Sequence, residues 1–390
     1  MQKYLIFALI GILVGGGVGF ITRTYAQPLL RGQNMTVVNA VLPLQNQVIG
    51  FLPYWLIAKA DKDYSPYITT LTYFGLTIEA DGHIQKYTDE DEIEGEPGWV
   101  ALSSGRADEI LTDAKKDGKT LSLLIFRADN EAITELLSDP IEHAAALIED
   151  VTPIMKAYGF RDLNIDIEHV GRATDDERQR FTTFLTRVKS GVKKNKLGTL
   201  TVEITGSDLI KQNLSNPKAI GAIADYVVIM AYDYHYAGSE VTGPVAPLGG
   251  GGDDAEYDTK IALQKALDII PAEKIILGIP LYGYQWETID DSPRSAVIPG
   301  TGQTASHRRV EEQLSSCTDC TVGIDKPAKE PYVIYHEDGD EVYDQIFYPD
   351  EASTQAKIDL ANAKEIGGIA LWALGYEGSG ILEPLKEYIR

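Results

Sequence analysis

The sequence predicts an α/β protein folded as a closed (β/α)8 barrel. Three observations carry that expectation. Eight short runs read as strands, and segments of helical periodicity lie between most of them. The runs are apolar nearly throughout, as parallel strands covered by helices on one side and a core on the other require. The first run, Gly50-Phe51-Leu52-Pro53, is not the Gly-rich nucleotide turn that an open doubly wound sheet would show there. Eight such units are the number that closes a barrel.

At 390 residues the chain has room for two domains or one large barrel. Lys3 precedes an apolar run from Tyr4 to Thr22, which Arg23 closes. That length is at the lower limit for crossing a bilayer and beyond most signal-peptide cores. Residues 1–26 therefore read as a signal peptide, with Thr24-Tyr25-Ala26 as a cleavage site, or as an uncleaved N-terminal membrane anchor. Either reading puts the remainder outside the cytoplasm, secreted or held at the membrane. Residues 27–45 read as a linker, and 46–390 as the barrel.

The strands expected are Val48–Tyr54, Thr69–Thr77, Thr120–Phe126, Phe160–Glu168, Thr199–Thr205, Tyr226–Tyr232, Ile275–Leu281 and Gly368–Leu374. Helices are expected at Gly105–Asp117, Ile141–Tyr158, Asp175–Lys194, Asp258–Ile269 and Ser353–Glu365. Asp139-Pro140 marks a helix start with Pro in its first turn, and Asp117-Gly118 and Lys196-Leu197-Gly198 mark helix ends. Gly249–Gly252 reads as a loop. Between the seventh and eighth strands, about residues 287–350, a small α+β insertion is expected. Its hairpin would be Tyr332–His336, a turn at Glu337-Asp338-Gly339-Asp340, and Glu341–Tyr348. Such an insert in a βα loop would wall the active face of a barrel.

The formal charge of −23 argues against nucleic acid and anionic membrane surfaces as partners, and favours a neutral ligand. The two cysteines, Cys317 and Cys320, read as a local disulfide in a surface loop. A zinc site lacks a second Cys pair, and a thioredoxin-like context is missing. The sequence signals no metal or cofactor.

The chemistry is concentrated in Asp162-Leu163-Asn164-Ile165-Asp166-Ile167-Glu168. Strand alternation turns Asp162, Asn164, Asp166 and Glu168 to one face and the aliphatic residues to the other. Burying four polar groups on one face costs several kcal/mol unless they are hydrogen-bonded or open to a site. Two carboxyls two residues apart also repel, which raises the pKa of one and keeps a general acid available near neutral pH.

Glu168 falls at the C-terminal end of the fourth strand, where barrel enzymes hold catalytic groups. The sixth strand ends Met230-Ala231-Tyr232-Asp233-Tyr234-His235, the seventh carries Gly278-Ile279-Pro280-Leu281-Tyr282-Gly283, and the eighth Gly367-Gly368-Ile369-Ala370-Leu371-Trp372. From about Val48 onward the chain resembles glycoside hydrolase family 18, the chitinase-like family. The resemblance implies an exported glycosidase cleaving β-1,4-linked N-acetylglucosamine-containing polysaccharide by substrate-assisted, retaining hydrolysis. It implies Glu168 as general acid and base, Asp166 as holder of the acetamido N–H, and Tyr232 as donor to the acetamido oxygen. Trp372 would be the floor under the sugar, with Asp233, Asn164 and Trp286 as further binding residues. Many chitinases carry Asp-Gly-x-Asp-x-Asp-x-Glu, where this chain has Asp162 for Gly and Asn164 for the first inner Asp. An amide at 164 cannot share a proton with Asp166. Asn-x-Asp-x-Glu resembles the branch of spore-cortex and cell-wall N-acetylglucosaminidases, which ranks peptidoglycan ahead of chitin and N-glycan cores as substrate. A non-catalytic sugar-binding protein is the alternative, disfavoured because the acid Glu is retained. Trp55 divides evenly between cleft and packing, Trp99 is left open, and His235 is expected to support its loop.

Overall fold

The computed structural model describes residues 46–88, 93–251, 257–336 and 342–389. The expectations for residues 1–45, for the acidic run 89–92 and for the turn at 337–340 lie outside the described residues. Seven parallel strands, β1 (Gln47–Pro53), β2 (Thr70–Thr77), β3 (Thr120–Arg127), β4 (Asp162–Ile167), β5 (Thr199–Thr205), β6 (Tyr226–Met230) and β7 (Ile275–Pro280), run in sequence around the wall. An inserted sheet follows: β8 (Tyr282–Thr288), β9 (Gln303–Ser306), β10 (Thr321–Asp325), β11 (Glu330–Tyr335) and β12 (Tyr343–Phe347). Strand β13 (Gly368–Trp372) then pairs in parallel with both β7 and β1 and closes the eight-stranded barrel.

Each long helix has a local reason to start and stop. Asp139 caps Pro140–Tyr158, accepting from the Ile141 and Glu142 amides, and Gly159 ends it at φ +82°. Thr174 and Glu177 form a reciprocal capping box for Asp175–Asn195. Their apolar faces, including Leu147, Val151, Phe184 and Val188, pack in one core with Leu163, Ile165 and Ile167 from the outer face of β4. The helices Pro97–Ser103, Asn130–Leu136 and Pro217–Ile223 were not expected. Each has seven residues, two turns, which is too short for a helical period to stand out.

The barrel interior is divided. Ile49, Phe51, Phe74, Leu124, Val228, Ile276 and Ala370 form an apolar inner cluster. The adjoining wall, from β4 and β5, is polar: Asp162, Asn164, Asp166, Thr201 and Glu203 are all buried there. That polar stripe is what positions the site.

The insertion begins earlier than the sequence suggested. Only Leu281 separates β7 from β8, so no turn residue signals the change of sheet. The five antiparallel strands run in the order β10-β11-β12-β8-β9, with the helix His307–Ser316 beside them. Cys317 and Cys320 are joined in a disulfide just after that helix. One buried ion pair ties the insert to the barrel: Lys357 Nζ, on the helix Glu351–Ala363, lies 3.3 Å from Glu330 Oε1 on β11. Glu330 also accepts from the Ala246 amide at 3.0 Å. Burial pushes the Glu330 carboxyl above its ordinary pKa, and Lys357 and the amide counter that push. Removing one member strands the other as a buried charge. Lys357→Met is therefore expected to lower unfolding stability by about 3–5 kcal/mol, read by denaturant titration.

Candidate active site

The cleft opens at the C-terminal ends of the barrel strands and has a volume of about 820 Å³. Its acids are Glu96, Asp166, Glu168, Glu203 and Asp233, and none of its described lining residues is Lys, Arg or His. Asp166, Glu168, Tyr232, Asp233 and Trp372, singled out from the sequence, all line it. The geometry at each follows from the strand that carries it.

On β4 the inner side chains form a graded series. Asp162, deepest, accepts from Ser122 Oγ at 2.6 Å, Thr199 Oγ1 at 2.5 Å and Thr201 Oγ1 at 3.0 Å. Three hydroxyls from β3 and β5 thus satisfy a carboxyl whose pKa burial raises. Asn164 is wholly buried and donates from Nδ2 to Glu203 Oε1 at 2.8 Å. It lies beneath the cleft and does not line it, so the binding role expected for Asn164 is corrected to a supporting one. The strand pleat carries every second side chain inward at a fixed depth, and residue 164 lies one pleat deeper than Asp166, which does line the cleft.

Asp166 is 4 % exposed, and its pKa is pushed well up, first by burial and then by the neighbouring Glu168 and Glu203. Glu168, half-buried at the strand end, is raised by burial and by Asp233 and Asp208. A carboxyl held protonated near neutral pH is what a general acid requires. Tyr232 follows β6, and its hydroxyl titrates well above its ordinary value through burial and the surrounding acids, so it stays a donor. Gly278 on β7 makes room for it, since a β-carbon there would stand 2.9 Å from the Tyr232 ring.

Asp233 adopts a left-handed backbone at φ +59°, a region Asp tolerates better than most residues. Its Oδ1 accepts from the Tyr282 and Tyr284 hydroxyls, the latter at 3.1 Å. The first inserted strand thereby grips the barrel loop, and Tyr284 itself reaches the cleft. Trp372 lines the cleft with an apolar ring. Phe74, Phe51 and Trp55 meet its ring edge-on at 4.8, 5.8 and 6.4 Å.

Trp286 does not line the cleft. It is fully buried against Tyr284 and Phe347, and its Nε1–H donates to Tyr236 O at 3.1 Å. Tyr282, Tyr284 and Trp286 share one face of β8, but Trp286 is farthest along, where Phe347 of the adjoining strand packs beside it and the loop carbonyl of Tyr236 accepts from its indole. Trp55 lines the cleft and is 46 % exposed. Trp99 is packed against the core beneath Lys86 Nζ, and its amide donates to Glu96. His235 Nδ1 meets Pro244 O at 2.8 Å. Sequence reasoning missed Glu203. Its signal was there, a lone acid inside the apolar β5 run Thr199-Leu200-Thr201-Val202-Glu203-Ile204-Thr205, yet no motif pointed to it.

A carboxyl with a raised pKa keeps in the native protein a proton that the unfolded chain releases at lower pH. Its contribution to stability is greatest at low pH and falls as pH rises through the raised value. Asp166→Asn, which cannot ionise, should unfold at higher temperature than wild type at pH 8 and at the same temperature at pH 4, by calorimetry.

Residues 47–377 match the family described as glycosyl hydrolases family 18. The cortical fragment-lytic enzyme of Bacillus anthracis is 25 % identical over 329 residues, which cover 82 % of this chain and 67 % of that protein. The crystal structure of the Bacillus cereus spore cortex-lytic enzyme SleL superposes with a TM-score of 0.68 at 22 % identity, covering 88 % of this chain and 74 % of that one. The Ostrinia furnacalis Group IV chitinase in complex with allosamidin does so with a TM-score of 0.74 at 20 % identity, covering 88 % and 97 %. Those two likenesses are of fold. The match along the barrel, with the cleft acids at the end of β4, identifies the chain as a glycosidase that belongs to glycosyl hydrolases family 18.

Proposed function

We propose that the protein hydrolyses β-1,4-linked N-acetylglucosamine-containing glycans with retention of configuration, using the substrate's own acetamido group as nucleophile. The observation that carries this reading is the pair Asp166 and Glu168, both on the cleft at the end of one strand, with Tyr232 and Trp372 lining the same cavity. With an acetamido oxygen as nucleophile, no protein carboxylate has to attack. Glu168 gives its proton to the glycosidic oxygen. Asp166 accepts the acetamido N–H and opposes the positive charge of the oxazolinium ring, while the Tyr232 hydroxyl donates to the acetamido oxygen. Water then adds, and Glu168 takes its proton back. The Trp372 face buries the sugar's C–H surface and leaves hydroxyls to solvent.

Cell-wall glycan is the substrate we place first. The Asn164-Ile165-Asp166-Ile167-Glu168 pattern and the cortex-lytic relatives support it, as does an extracytoplasmic location if residues 1–26 direct export. The cleft constrains which sugars fit. With no base among its described lining residues, the cleft offers a free carboxylate on the bound sugars nothing to pair with. N-acetylglucosamine oligomers, and muramic units whose carboxyl is blocked as an amide or lactam, fit this lining.

Glu168→Gln should lower kcat on N-acetylglucosamine oligomers by about a hundredfold to ten-thousandfold, the range for general acid catalysis, with an unchanged circular dichroism spectrum. Full retention of activity would place the acid elsewhere. Free-carboxylate muramyl oligomers should show a several-fold lower kcat/KM than their amidated forms, because the described cleft lining holds no cation to pair with the carboxylate. Product chromatography measures both.

A further inference from the structure

Glu203 is an acid of the cleft that the chitinase-like motifs do not account for. The β4–β5 ladder runs in register to Ile165 opposite Val202, and the next step places Glu203 beside Asp166. Both are buried and both line the cleft. Asn164 Nδ2 donates to Glu203 Oε1 at 2.8 Å, which fixes one oxygen of that carboxyl. Asn164 Oδ1, also buried, accepts no hydrogen bond from the described residues. An acceptor left bare in a protein interior costs about 1–3 kcal/mol, so a donor is called for. The neighbours of Asn164 on the inner face of β4 are Asp162 and Asp166. Both oxygens of Asp162 are already occupied by three hydroxyls. Of these two, Asp166 is the one left with a proton to offer, since burial, Glu168 and Glu203 push its pKa well up.

We propose that Glu203 is a positioning residue for the hydrolytic reaction: together with Asn164 it is the proton partner of Asp166. This rests on the hydrolase reading above. At rest the Asp166 O–H donates to Asn164 Oδ1, and the Glu203 carboxylate accepts from Asn164 Nδ2. When the sugar binds, Asp166 turns to the acetamido N–H. Its O–H bond breaks and an O–H bond forms on the free oxygen of Glu203, so the pair keeps one proton and one negative charge throughout. Asp166 is then a carboxylate at the moment the oxazolinium charge develops. The carboxyl that many chitinases place at the position of Asn164 has in effect moved one strand over, to β5.

The groups facing this pair are Asp162 on β4, Glu168 just after it and Tyr232 after β6, while Asp233 and Asp208 face Glu168 beyond them. Burial, Asp162 and Glu168 raise Glu203 well above the usual carboxylate range against the pull of Asn164, in keeping with a group that takes up a proton. Among the described residues these ionisable neighbours are all acids or Tyr.

The test is a relocation. Glu203→Gln keeps the shape and the Asn164 contact but cannot take a proton. Relative to wild type, kcat on N-acetylglucosamine oligomers should fall about tenfold with KM nearly unchanged. The acidic limb of the kcat profile should move to lower pH by about one unit, because Asp166 loses its like-charged neighbour. Adding Asn164→Asp to Glu203→Gln returns a carboxyl beside Asp166, and should restore kcat to within about threefold and the acidic limb to its original place. An unmoved limb in Glu203→Gln, or a folded double variant no better than the single one, would overturn the proposal. Stability separates this from the hydrolase reading. In a thermal double-mutant cycle, which needs no turnover, Glu203→Gln should shrink the pH 8 stability gain of Asp166→Asn. Additive effects there would remove the coupling between Glu203 and Asp166 even if hydrolysis stands. Loss of Glu168-dependent hydrolysis with the coupling intact would remove the reaction and leave the proton pair.

Discussion

The structure depends on one electrostatic constraint: a row of acids and one amide is buried on the inner face of β4 and β5 without a positive partner among the described residues. Charges of one sign cannot crowd into a low-dielectric interior, so the stripe must be neutralised by protons and satisfied by hydrogen bonds. At the bottom, Asp162 is held by three hydroxyls and serves the barrel. In the middle, Asn164 links β4 to Glu203. At the top, Asp166 and Glu168 have few partners and raised pKa values, and they face the cleft. Protein hydrogen bonds thin out from the floor of the barrel to its mouth. What the protein leaves unsatisfied is what remains for a substrate to complete.

The rest of the barrel serves this gradient. The apolar inner cluster fills the other side of the lumen and keeps water from the deep acids. The aromatic edges around Trp372 fix its ring as a surface on which a sugar can lie. The inserted sheet contributes Tyr282 and Tyr284, which hold Asp233 in its left-handed turn next to Tyr232. The Glu330–Lys357 pair fixes that sheet to the helix that packs behind the last strand. The insertion thus bears on the site through a short chain of contacts from Lys357 to β11, β12, β8 and Asp233.

Much of this was legible in the sequence. Eight apolar strand runs separated by amphipathic segments predicted the barrel, because parallel strands in a barrel wall are buried and their composition says so. Asp166, Glu168, Tyr232 and Trp372 were picked out by their places at strand ends and by the resemblance to the family, and all four line the cleft. Three features were less legible, each for a physical reason. Depth along a strand is not encoded by period two, so Asn164 read as a binding residue though it lies below the cleft. The start of the inserted sheet is unmarked, because β8 follows β7 with one residue between them, and Trp286 was assigned to the wrong side of that boundary. Glu203 belongs to a neighbouring strand, and its partnership with β4 depends on the β4–β5 register, which no local pattern fixes.

The central claim is that the substrate's acetamido oxygen, steered by Asp166 and Tyr232 and unlocked by the Glu168 proton, is the nucleophile. The most direct measurement is the anomeric configuration of the first product formed from an N-acetylglucosamine oligomer, followed by proton NMR before mutarotation. The account predicts that the β-anomer forms first, since ring closure and opening on one face invert the centre twice. Appearance of the α-anomer first would mean direct attack by water, and would contradict it.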